Sequence, residues 1–160
     1  DAFFAGANSN NRRLRKFFLK KIQSHHKFKN QNIYIYSYDN QPSLNTNDYI
    51  DKIRSSNLSI DLSGQFDNLT MRFHEILFLN ELPITDIGFL KFQISDHYKD
   101  LLNYIVFKSA DHFYDLIEFY KNDYNKHTII QELQNIFKKY YNPYLHGQNI
   151  LKDLNFDYTI

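Results

Sequence analysis

Arg72 and Glu75 stand three residues apart in a segment of helical periodicity, so one helix face carries both. A guanidinium can neutralise phosphate oxygens, and a carboxylate can accept hydrogen bonds from ribose hydroxyls. Together they form a candidate nucleotide site. Upstream, Leu58 to Leu62 reads as a buried strand emptying into a polar loop around Gly64. Such a strand–loop–helix passage is where α/β proteins bind phosphates, because the first backbone N–H groups of the helix are unpaired. Asp67, Asn68 and Thr70 lie in that loop as capping candidates. The plainer reading is a surface ion pair contributing roughly a few tenths of a kcal/mol.

A second loop, Gly6 to Arg13, follows an opening strand, AFFAG. Its amides and Arg12 could meet a pyrophosphate. Only one glycine is present, so the spacing is not G-x-G-x-x-G and a dehydrogenase-type dinucleotide fold is disfavoured. Arginines on a first helical turn are also common as solvated residues. His25 and His26 are adjacent on a helix end and point too far apart to chelate a metal. His74 reads as packed or solvated, and Asp111, Asp115 and Glu118 as the wet face of a helix. Neither H-E-x-x-H, G-x-S-x-G nor a P-loop lysine motif occurs.

The elements that must position these residues alternate. The pattern predicts a strand over Ala2 to Ala5 and a turn at Gly6-Ala7-Asn8-Ser9-Asn10. A helix follows, with Leu14, Phe17, Phe18 and Ile22 inward and Arg12, Arg13, Arg15 and Lys16 around them. Further strands are expected at Ile33 to Ser37, Ile84-Thr85 and Tyr104 to Phe107, with a short helix from Asp48 to about Arg54. Residues 87 to 103 read as irregular with one short helix near Asp96 to Leu102. Two helices end the pattern, with stripes Phe113, Leu116, Ile117, Tyr120 and Ile129, Ile130, Leu133, Ile136, Phe137, Tyr140. A last short helix is expected near Leu145 to Leu154. The expected fold is α/β: one Rossmann-like three-layer sandwich with a parallel sheet of about five strands and C-terminal helices, spanning 1–160 as one domain.

Composition narrows the function classes. The 160 residues can bury a real core, and 42 % hydrophobic with 23 % charged residues is ordinary for a globular protein. A net charge of +1 argues against a dominant nucleic-acid footprint. The absence of cysteine excludes disulfides, thiolate zinc sites and cysteine nucleophiles. No apolar run approaches the length of a membrane span. Asn68-Leu69-Thr70 is a glycosylation sequon inside the proposed loop, and a glycan there would block the site, which favours a cytoplasmic home.

The run YIDKIRSSNLSIDLSG, followed by TMRFHEILFLNELPITD, resembles the C-terminal, donor-binding half of GT-B-fold glycosyltransferases, in the exostosin-like and spore-coat-type branch. Thr70, Arg72 and Glu75 match the family's Ser/Thr-x-Arg-x-x-Glu/Asp signature, and Leu82-Pro83-Ile84 its last strand. The opening FFAGANSNNRR resembles the family's first strand and loop. The chain departs from the pattern where Asn80-Glu81 stands in place of the usual glycine, and in lacking a second glycine near Gly64. The resemblance implies a nucleotide-sugar donor site in a longer two-domain enzyme. Arg72 would neutralise the diphosphate and Glu75 would hold the ribose. Gly6, Arg12 or Arg13, and Gly64 would lie at the phosphates. The resemblance also implies that no metal and no cofactor is needed, protein cations taking up the charge instead. The partners implied are the donor and an N-terminal acceptor half outside these residues, so the chain alone would transfer little. The rivals are a non-catalytic Rossmann-like interaction domain and a receiver-type domain. The latter needs acidic residues at the end of the first strand, and AFFAG offers none.

Overall fold

Short strands separated by helices pair in parallel, because each crossover returns the chain to the same end of the sheet. The computed structural model describes residues 2–7, 12–38, 42–64, 71–91 and 94–141. Within them run β1 (Ala2–Gly6), α1 (Arg13–Ser24), β2 (Ile33–Ser37), α2 (Thr46–Arg54), β3 (Leu58–Asp61), α3 (Arg72–Phe78) and β4 (Pro83–Asp86). A 3-10 segment at Ile87–Lys91 leads through α4 (Ile94–His97) and α5 (Leu102–Ile105) to β5 (Val106–Phe107). Then come α6 (Ala110–Phe119) and α7 (Asp123–Tyr141).

The strands form one all-parallel sheet in the order β2-β1-β3-β4-β5. The chain steps from β1 to β2, then returns across β1 to β3, so the winding reverses between β1 and β3. That reversal opens a crevice beyond the carboxyl ends of these two strands. The molecule is an α/β Rossmann-like three-layer sandwich with C-terminal helices.

Pleating sends the side chains of β1 alternately to the two faces. Phe3 and Ala5 pack with Ile53 of α2 and Ile76 of α3. Ala2 and Phe4 join the main core with Phe18, Leu19 and Ile22 of α1 and Phe113, Leu116 and Ile117 of α6. α1 packs on α6, and α3 on α7. The expected stripe on α6 is buried throughout, and Ile129, Ile130 and Leu133 of α7 are buried as well. Among the described residues no helix is long and apolar enough to cross a membrane.

Three expectations need correction. Phe17 is 55 % exposed, and Leu19 takes the inward place on α1. The fifth strand is only Val106–Phe107, because residues 102–105 wind into α5, where Tyr104 faces outward. Residues 87–103 hold more helix than one short element, with 3-10 turns flanking α4. The helix expected near Leu145 to Leu154 lies outside the described residues.

Asn80 explains how α3 stops without a glycine. Its φ of 63° lies in the left-handed region, which a helix end often uses and which asparagine tolerates better than most residues. Pro83 then opens β4 on the far side of the turn.

Candidate functional site

Gly6 ends β1 at the crevice. A Cβ built there would stand 3.2 Å from Nη1 of Arg15, 3.2 Å from Nη2 of Arg72 and 3.1 Å from the Phe4 ring. Two guanidiniums thus converge on one point at the strand end. Both also lie over Phe4, with Cζ atoms 5.4 Å (Arg15) and 5.5 Å (Arg72) from the ring centroid. A side chain here would press these neighbours back by a few tenths of an ångström, so crowding rather than backbone angle favours glycine.

Arg15 was not singled out from sequence. It is 3 % exposed and straps the crevice, with Nη1 donating to the Ala7 carbonyl (2.7 Å) and Nη2 to the Leu62 carbonyl (2.8 Å). These carbonyls follow β1 and β3, so one side chain ties the two strand exits together. The missed signal is its spacing: Arg15, Phe18, Leu19 and Ile22 fall at i, i+3, i+4 and i+7, the inward stripe of α1. Burial, then the charges of Arg72 and Arg12, push its pKa down to about 10, against the pull of Asp61 and Asp86. It remains a cation at neutral pH.

Arg72 opens α3 and is half-buried. Its Nε and Nη1 are shielded from water and make no hydrogen bond among the described residues. Buried donors without acceptors cost about 1–3 kcal/mol, and a cluster of like charges raises that cost. Arg12, half-buried, adds its field to this cluster, whereas Arg13 is exposed.

The loop after β3 is set by Asp86 at the end of β4. This fully buried carboxylate accepts from Ser63 N–H (2.8 Å), Ser63 Oγ–H (2.6 Å) and Gly88 N–H (2.7 Å). Gly88 is glycine because a Cβ there would collide with the Ser63 hydroxyl. Gly64, next in the chain, is buried beside this latch. Asn68 and Thr70 lie outside the described residues.

Glu75 and Arg72 do not pair directly among the described residues. Glu75 is exposed, and its Oε2 accepts from the Tyr49 hydroxyl at 3.3 Å. The charge and hydrogen bonding of Arg72 act on the same phenol, whose pKa burial pushes up to about 12. Past Glu75, α2, α3 and α7 enclose an apolar groove of about 560 Å³, lined in part by Tyr49, Ile50, Met71, Phe78 and Phe137. α3 runs from the strand ends back toward the amino edge of the sheet, so along it Arg72 comes first, Glu75 with Tyr49 next, and the apolar groove continues on that flank to Phe78.

Other candidates fall away. Contrary to the expectation that they point apart, the His25 and His26 rings stack at 4.8 Å, because His25 leaves α1 with an extended backbone. His25 faces Asp111 at 3.4 Å. Asp111 also pairs with Lys27 at 2.9 Å, and Glu118 with Lys121 at 2.7 Å. His74 packs edge-on to Phe73 and against Phe137, and burial lowers its pKa. Among the described residues no three His, Asp or Glu side chains gather as a metal site requires.

Compared with known proteins, the chain matches no family model, no curated protein and no solved structure.

Proposed function

We propose that this chain is the donor-binding domain of a glycosyltransferase that moves a sugar from a nucleoside-diphosphate sugar to an acceptor held by another, N-terminal half. One observation carries this reading: the Arg72 guanidinium converges with Arg15 on Gly6, at the sheet's switch point, with two shielded N–H-bearing nitrogens lacking acceptors among the described residues. In this reading the Arg72 guanidinium donates to a phosphate oxygen, and its covered nitrogens are reached only when the groups over them shift. The cations, the carboxylate and the apolar groove that follow one another along α3 offer contacts for a diphosphate, a ribose and a base. The sequence resemblance to GT-B enzymes points the same way.

In the reaction, the bond from the anomeric carbon to the diphosphate oxygen breaks and a bond to the acceptor oxygen forms. The leaving diphosphate gains negative charge, which Arg72, Arg15 and Arg12 are placed to stabilise. The acceptor's proton passes to a base that these 160 residues need not supply. A cytoplasmic location accords with the sequon at Asn68.

The decisive measurement is a thermal-unfolding series with UDP, GDP and their sugars, beside magnesium with acetyl phosphate. A ligand selective for the folded state must raise its stability, so a nucleoside diphosphate should raise Tm. In titration, Arg72→Ala should weaken that binding ten- to a hundredfold, from a charge-assisted bond of about 1.5–3 kcal/mol at roughly 1.4 kcal/mol per decade. Unchanged binding would remove Arg72 from the site. The exposure of Met71 and Phe78, 71 % and 81 %, favours a second reading, a protein-interaction domain. Silence toward every nucleotide would select it.

A further inference from the structure

We infer that Tyr49 is a positioning residue that fixes Glu75 for a ribose 2′,3′-diol, so that this site distinguishes ribonucleotides from 2′-deoxyribonucleotides. The inference rests on the nucleotide reading above and adds a residue and a selectivity to it.

Glu75 alone is a poor reader of a diol. It is exposed on the first turn of α3, and an exposed glutamate samples many rotamers, all but a few of which must be given up on binding. Tyr49 removes that freedom from outside the helix. It sits on α2, 26 residues away in sequence, and its hydroxyl donates to Oε2. The phenol itself is held: its ring lies 6.2 Å from that of Phe3 at 57°, and it packs on the cluster of Phe3, Ala5, Ile53 and Ile76. Those residues belong to β1, α2 and α3, so the hydroxyl is referenced to the sheet.

The same phenol meets Arg72, which biases the hydroxyl's hydrogen away from the guanidinium and toward Glu75. At neutral pH it is a donor, since burial raises its pKa. Oε1 of Glu75 accepts no hydrogen bond among the described residues and remains for the ligand. Two vicinal hydroxyls can both donate to a carboxylate held this way. A 2′-deoxyribose offers one donor fewer, so it makes one charge-assisted hydrogen bond to the carboxylate where the ribose makes two.

The test is calorimetric titration of the whole chain with UDP against dUDP and GDP against dGDP, for the wild type, Tyr49→Phe and Glu75→Gln. Phenylalanine keeps the ring that packs on Phe3, and a circular-dichroism melt of each variant checks that packing. The wild type should prefer the ribonucleotide about tenfold or more, as expected for a hydrogen bond to a charged group. Tyr49→Phe should bring the ratio to within about threefold while leaving deoxynucleotide affinity nearly unchanged. A purely structural role would weaken both sugars equally and keep the ratio, and that result overturns the inference. A wild type that binds both sugars alike also overturns it, while leaving the nucleotide reading intact. A wild type that binds no nucleotide ends both.

Discussion

Gly6 shows how one missing methyl group can be functional. Its neighbours at 3.1–3.2 Å are the Phe4 ring and the tips of Arg15 and Arg72, so a Cβ must push at least one guanidinium aside. Arg15 is tethered to two carbonyls, and Arg72 is the side chain with slack. Gly6→Ala should therefore displace Arg72, weakening nucleoside-diphosphate binding about fivefold or more, the equivalent of ~1 kcal/mol. The urea midpoint should hardly move, and a loss of stability with intact binding would contradict this. Arg72 and Glu75 were legible because the types and spacing of the run around them carry chemistry. Arg15 was not, because four basic residues crowd the start of α1 and charge alone does not say which is buried. Tyr49 was invisible for another reason: its role needs α2 and α3 brought side by side, which no local pattern encodes.

At the carboxyl edge of the sheet one side chain sets two strand exits. The exits of β3 and β4 are joined by Asp86, and the fit leaves no space at Gly88. Gly88→Ala should destabilise the fold by about 1–3 kcal/mol through overpacking, measured by urea unfolding. Ser63→Ala in the same chain should return part of the loss, since the Ser63 hydroxyl is the nearest obstacle. An equal loss in the double variant would place the strain elsewhere. The central elements were readable in sequence because the apolar run of β1 and the buried Leu58, Ile60 and Ile84 of β3 and β4 stand between helical patterns. Tyr104 to Phe107 misled because a short apolar run fits helix and strand alike. The Tyr104 carbonyl instead accepts from the Tyr120 hydroxyl at 2.9 Å, from the end of α6. At Asn80 a residue that looks like a departure performs the turn a glycine would.

Across the whole molecule, acid sensitivity should have an identifiable contributor. Burial between Phe73 and Phe137 lowers the pKa of His74 from its usual 6.5, so the folded chain holds this imidazole neutral while the unfolded chain protonates first. Its contribution to stability is thus constant above about pH 6.5 and declines as pH falls below it. Urea midpoints at pH 7.5 and 5.5 should drop less for His74→Phe than for the wild type. An identical drop in both would remove His74 as a source. The parallel pairing and both covered faces follow from the alternation of strands and helices, which is why the architecture could be read early. The strand order could not, and with it which strands flank the crevice, since alternation does not say that β1 and β3 become neighbours across the reversal. The crowding at the end of β1 has one further consequence. A cluster of cations that takes a diphosphate, as proposed, should also take orthophosphate or sulfate, so these common buffer salts should compete there and blunt the apparent affinity recorded in their presence.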